Sequence, residues 1–109
     1  MIDEPNKTAL LIESLRAALP FDVVLAPTVP LSVRRDIGAA APGTRLRVAE
    51  IDYAGDEGGI MCHMDRSDGR KLAAISLTQV RVPRSMPLAA SVLRYQMHRI
   101  KKLKKQSYS

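Results

Sequence analysis

Tryptophan is absent, phenylalanine occurs once and tyrosine three times, so aromatics make up only 4% of the 109 residues. The core must therefore be aliphatic. Cysteine occurs once, as Cys62, which excludes an internal disulfide framework and points to a reducing compartment, the cytoplasm. No apolar run approaches the ~18 residues needed to cross a bilayer. Asp3, Glu4 and Glu13 are the wrong charges for a secretory signal. Internal repeats, low-complexity linkers and a marked domain boundary are also missing, so residues 1–109 are expected to form one domain. Hydrophobic residues at 46% and charged residues at 26% are ordinary for a folded chain and exclude a disordered or fibrous one.

The sharpest absence is acidic. Residues 1–68 carry seven Lys or Arg and eleven Asp or Glu, a balance of −4. Residues 69–109 carry ten basic side chains and no acid, a balance of +10, which brings the total to +6. The C-terminal part is thus able to attract phosphates, anionic lipid or an acidic protein surface. It is equally able to attract the acidic half of its own fold.

The expected architecture is α+β. Residues 5–19 read as a helix capped by Asp3, with Glu4 and Pro5 in its first turn and Leu11, Ile12, Leu15, Ala18 and Leu19 on one face. Residues 21–26 read as a short buried strand. Residues 32–37 suit one helical turn, and 39–43 a small-residue connector. From Thr44 the period becomes two. Leu46, Val48 and Glu50 face one way and Arg45, Arg47, Ala49 and Ile51 the other. A Gly-rich loop at 55–59 leads to a strand with Ile60, Cys62 and Met64 on one face. Asp68-Gly69 marks a hairpin turn before a third strand at 72–77 and a short fourth at 80–82.

Residues 87–105 form the clearest helix, with Ser85 as its cap and Pro87 in its first turn. Ala89, Val92, Leu93, Gln96, Met97, Ile100 and Leu103 project on one side, the expected core stripe. Arg94, His98, Arg99, Lys101, Lys102 and Lys105 occupy the opposite arc, with Lys104 near the apolar edge.

Residues 42–83 resemble a small SH3-like barrel. The opening strand after a Gly turn (Pro42-Gly43-Thr44-Arg45-Leu46-Arg47-Val48), the tight hairpin, and the strand, 3₁₀ step and final strand around Ser76-Leu77-Thr78-Gln79-Val80 carry the resemblance. The run Gly69-Arg70-Lys71-Leu72-Ala73 with Ser76-Leu77-Thr78-Gln79-Val80 is similar to a segment of small bacterial calcium-binding proteins of this fold, in which a helix also follows the barrel. That resemblance implies ion binding by acidic side chains. This chain departs from the family in being basic where those proteins are acidic, and their ligands do not map onto it residue by residue.

The candidate chemistries are few. Asp52, Asp56, Glu57, Asp65 and Asp68 sit in two loops and could supply oxygen ligands to calcium, although acids and glycines are also what exposed turns contain. Cys62 and His63 are neighbours on a strand, so they point to opposite faces and cannot form a nucleophile–base dyad. One Cys and two His fall short of a zinc site, and the glycines match no phosphate loop. No catalytic signature names a reaction, and no cofactor is implied. The chain reads as a non-enzymatic binding module.

Its leading partner is the nucleic-acid backbone, contacted by Arg94, Arg99, Lys101, Lys102, Lys104 and Lys105 and, secondarily, by Arg70, Lys71 and Arg81. Only Tyr53 and Tyr95 are placed to stack on bases. The alternative is a calcium-binding or protein-interaction domain whose basic face only confers solubility. A membrane surface is set aside, because the apolar stripe lacks aromatics and is expected to be used by the core. The same stripe offers a homodimer contact to a second copy. The discriminating observation is where the basic side chains go: onto one exposed face, or into pairs with acids of the same chain.

Overall fold

The computed structural model describes residues 2–27, 45–64 and 74–107. Helix α1 (Pro5–Ala18) is followed by strands β1 (Phe21–Leu25), β2 (Arg45–Tyr53), β3 (Ile60–Met64), β4 (Ala74–Ser76) and β5 (Val80–Arg81), and by helix α2 (Ala89–Ser107). Single 3₁₀ turns, Gly55–Glu57 and Leu77–Gln79, separate β2 from β3 and β4 from β5. The strands form one antiparallel, curled sheet in the order β4-β3-β2-β1-β5. The fold is α+β, as the hydrophobic periods predict.

The sheet begins earlier than residue 42. Phe21–Leu25 is an interior strand, paired with β2 on one side and β5 on the other. Its alternation of buried Phe21, Val23 and Leu25 with outward Asp22 is that of a half-buried strand. Strand β3 behaves as its sequence predicts, with Ile60, Cys62 and Met64 inward.

Strand β2 does not keep its period. Val48 pairs with Met64 but Glu50 pairs with His63, so one extra residue is inserted near Ala49. That bulge moves Ile51 onto the same buried face as Val48, where strict alternation would have separated them. The Arg16 side chain of α1 then binds the Ile51 carbonyl through Nε and Nη2, both at 3.2 Å.

Helix α1 buries Leu11 and Leu15, and Ile12, Ala18 and Leu19 pack against the same core. Its cap is Glu4 rather than Asp3: the Glu4 carboxylate accepts from the backbone N–H groups of Asn6 and Lys7, which holds its pKa below the ordinary carboxylate value. Asp3 turns inward instead. Helix α2 starts at Ala89, later than expected, after two turns closed by Met86 N–H to Pro83 O and Ala89 N–H to Met86 O. Ser85 and Pro87 lie before the helix and do not cap it. Strand β4 is Ala74–Ser76, Leu77 has joined the 3₁₀ turn, and Val82 is outside β5. The helical turn at 32–37, the connector at 39–43 and the hairpin turn at 65–69 lie outside the described residues.

Candidate functional site

Helix α2 presents three faces, and each has a different use. Its inner face is Val92, Tyr95 and Arg99, all buried, at i, i+3 and i+7. Val92 joins the aliphatic core. The flanking Gln96 amide donates to the carbonyls of Leu77 and Val80, each at 2.7 Å, and so fastens the helix to the 3₁₀ turn that closes the sheet.

Tyr95 and Arg99 enter a buried polar cluster. Arg99 Nη1 lies 3.2 and 3.1 Å from the two carboxylate oxygens of Asp3, and Nη2 donates to the Asp56 carbonyl at 2.7 Å. The side chains of this pair are 2% and 0% exposed. The Tyr53 and Tyr95 hydroxyls also donate to Asp3 Oδ2, at 2.9 and 3.1 Å. Tyr95 Oη in turn accepts from Ile60 N–H at 2.9 Å. The Ile2 N–H donates to Asp56 Oδ1, and the Ile2 carbonyl meets His98 Nε2 at 3.2 Å. Burying an ion pair is tolerable only when its remaining donors and acceptors are met, and here Asp3 receives four hydrogen bonds. Desolvation raises the pKa of both phenols, that of Tyr53 to about 12, and the hydrogen bonds and charge of Asp3 add to it.

Gly59 makes room for this arrangement. It sits at φ +66°, and a Cβ there would collide with the Tyr95 hydroxyl and reach 2.8 Å from Arg99 Nε.

Arg99 is therefore not part of a nucleic-acid face. At 100° per residue it falls on the edge of the basic arc, and the pull of buried Asp3 takes it inward. Tyr53 and Tyr95 are likewise tied through their hydroxyls to Asp3; Tyr95 is buried, which takes its ring out of reach of a base, while Tyr53 stays exposed.

The second face of α2 carries Arg94, Lys101 and Lys105, flanked by Lys102 and Lys104, all exposed. Among the described residues none of these five forms an ion pair, and Ala89–Ser107 contains no acid. Arg94 donates only to Ser91 Oγ, at 3.3 Å. Arg81 is exposed on β5, the strand that directly precedes this helix, and Arg70 and Lys71 lie outside the described residues.

Beside the basic face, an open groove of about 740 Å³ runs between α1 and α2. Leu10, Leu11, Leu88 and Tyr95 line it, with Lys7 and Arg94 contributing cations and Glu4 an anion. Lys7 was invisible as a site residue in the sequence, because it reaches this face only through the packing of two helices distant in the chain.

The third face corrects the expected core stripe. Leu93, Met97 and Ile100 point outward, 55%, 63% and 41% exposed. Of the stripe, Val92 and Gln96 face the sheet, Ala89 is half-buried, and Leu103 borders a shallow hollow with Met61 and Arg99.

The loop acids are dispersed or occupied. Asp56 accepts from Ile2 N–H; Asp52 accepts from Tyr53 N–H and stands 3.8 Å from His63. Asp65 and Asp68 lie outside the described residues, among which no three metal-ligating side chains gather. Cys62 is buried on the core side of β3, which pushes its thiol pKa up to about 12 by desolvation, while His63 faces the other way. No helix among the described residues is long and apolar enough to cross a membrane.

No protein-family model, curated protein or solved structure matches this chain.

Proposed function

We propose that this chain is a small, non-enzymatic binding module that grips nucleic-acid phosphates through Arg94, Lys101, Lys102, Lys104 and Lys105 of α2. The observation that carries the reading is electrostatic. Five cations share the outer arc of one helix that has no acid, and none is neutralised by an ion pair among the described residues. Unpaired exposed cations displace the counterions condensed on a polyphosphate, and the released ions drive binding. With Tyr95 buried and Tyr53 tied through its hydroxyl to Asp3, the contacts are mainly to backbone rather than to bases. Lys7 lies on the far wall of the α1–α2 groove, beside the Glu4 carboxylate.

The order β4-β3-β2-β1-β5 and the 3₁₀ turn between β4 and β5 support an SH3-like reading of the sheet. A single buried, reduced thiol supports a cytoplasmic location.

The test is a titration of labelled single- and double-stranded oligonucleotides across a salt series, beside a variant with Lys101, Lys102, Lys104 and Lys105 all replaced by Gln. The log–log salt slope should shrink by about 0.7–0.9 for each lysine that touches a phosphate. Absence of binding at about 0.15 M salt, or an unchanged slope, overturns the reading.

A further inference from the structure

Three apolar side chains on the outside of α2 have no role in holding phosphates. Leu93, Met97 and Ile100 follow at intervals of four and three residues, so they form a continuous line about two turns long. The line lies to one side of the buried Val92, Tyr95 and Arg99, between them and the basic arc, on a helix whose inner face already anchors it to the sheet. Lys104 continues the line and Lys101 runs beside it, so apolar and cationic groups share the outward surface.

A second copy of the chain is a poor occupant. Ala89–Ser107 has six Lys or Arg and no acid, so pairing two such helices antiparallel through this line sets cation against cation. A surface that suits the face must offer negative charge and an apolar layer at the same depth. The face is a convex ridge, not a hollow, and its charges have one sign and no partner-specific pattern.

We propose that the outward face of α2 seats on an anionic lipid bilayer surface, with Leu93, Met97 and Ile100 in the acyl boundary and the lysines on the headgroups. A bilayer presents anions above hydrocarbon at every point, so an unpatterned mixture of the two needs no register. The long lysine stems reach from beside the apolar line up to the headgroups. All five residues from Lys101 to Lys105 are exposed. The sequence argument against a membrane surface assumed that this stripe is consumed by the core, and three of its members are not. The contact is peripheral and reversible, because two turns without a tryptophan insert only shallowly. The inference does not rest on the phosphate reading above, since nucleic acid gives the apolar line nothing to bury in.

The experiment is flotation of the full chain with vesicles of phosphatidylcholine alone and of phosphatidylcholine and phosphatidylglycerol in equal parts, at about 0.1 M salt. A variant carrying Leu93→Gln, Met97→Gln and Ile100→Gln is run beside it, with circular dichroism as the check on folding. The wild-type chain should float with the anionic vesicles and not with the neutral ones. The triple variant should lose about tenfold or more of its partitioning while its oligonucleotide salt slope stays unchanged, which separates this proposal from the phosphate one. Should the triple variant unfold, Met97→Gln alone, the most exposed of the three, should give a smaller loss in the same direction. Failure of the wild-type chain to float with anionic vesicles overturns the proposal. So does partitioning that the Gln substitutions leave unchanged, which would reduce the attraction to charge alone.

Discussion

Arg99 and Lys101 are two residues apart on one helix and their charges are used in opposite ways. Arg99 is buried against Asp3 and serves the fold; Lys101 is exposed and forms no ion pair among the described residues. Composition counts the two alike. The difference shows that a charge surplus has to be divided into charges spent internally and charges left over before it says anything about binding. Here the internal share ties Asp3, far from α2 in the chain, to the helix and to the Gly-rich loop.

The largest expected effect comes from breaking the internal share. Arg99→Met leaves the Asp3 carboxylate buried without its cation and should cost about 3–5 kcal/mol in urea unfolding. Adding Asp3→Leu removes the stranded charge, and the double variant should recover much of that loss. A double variant as unstable as the single one would mean that the ion pair itself, rather than the orphaned carboxylate, dominates.

Gly59→Ala tests the same cluster from the loop side. Positive φ and the approach of Tyr95 and Arg99 together predict a loss of about 1–3 kcal/mol, read as a lower thermal midpoint. An unaffected midpoint would show that the loop yields and that the cluster is not held by it.

A pH titration sharpens the comparison further. The folded-state pKa of Tyr53 lies at about 12 against an ordinary 10.0, and that of Tyr95 is raised as well. A raised folded pKa means that the folded chain holds these protons more tightly than the unfolded one. Their contribution is therefore fully present below pH 10 and is lost as pH rises from about 10 through 12. Far-UV circular dichroism should show alkaline unfolding in that window, and Tyr53→Phe should weaken the dependence.

The smallest effect on stability belongs to the exposed share. Replacing Lys101, Lys102, Lys104 and Lys105 with Gln should move the unfolding free energy by no more than about 0.5 kcal/mol, because no ion pair among the described residues is lost. A large destabilisation would erase the distinction between the two kinds of charge.

Much of the fold was legible in the residues. The alternation of Phe21, Val23 and Leu25 and of Ile60, Cys62 and Met64 marked both strands, and Leu11 and Leu15 marked the inner face of α1. The β2 bulge was not legible, since one inserted residue leaves no compositional trace and reverses the face of everything after it. The cap of α1 was misplaced by one residue because Asp3 and Glu4 are both competent acceptors, and the choice between them was made by Arg99, almost the whole chain away.

The candidate site divides in the same way. Period, charge and the lack of acids after residue 68 were enough to establish a basic amphipathic α2 in an aliphatic α+β domain, because those properties depend only on neighbours along the chain. Which side of that helix meets the sheet could not follow from its periodicity. Leu93, Met97 and Ile100 offered an apolar face as good as the one used, and the helix turned Val92, Tyr95 and Arg99 inward. A buried carboxylate, the Ile60 N–H and the Leu77 and Val80 carbonyls were waiting there for donors and acceptors. Buried polar groups must be satisfied by whatever packing brings to them, and that requirement set the rotation of α2 and with it the surface left to a partner.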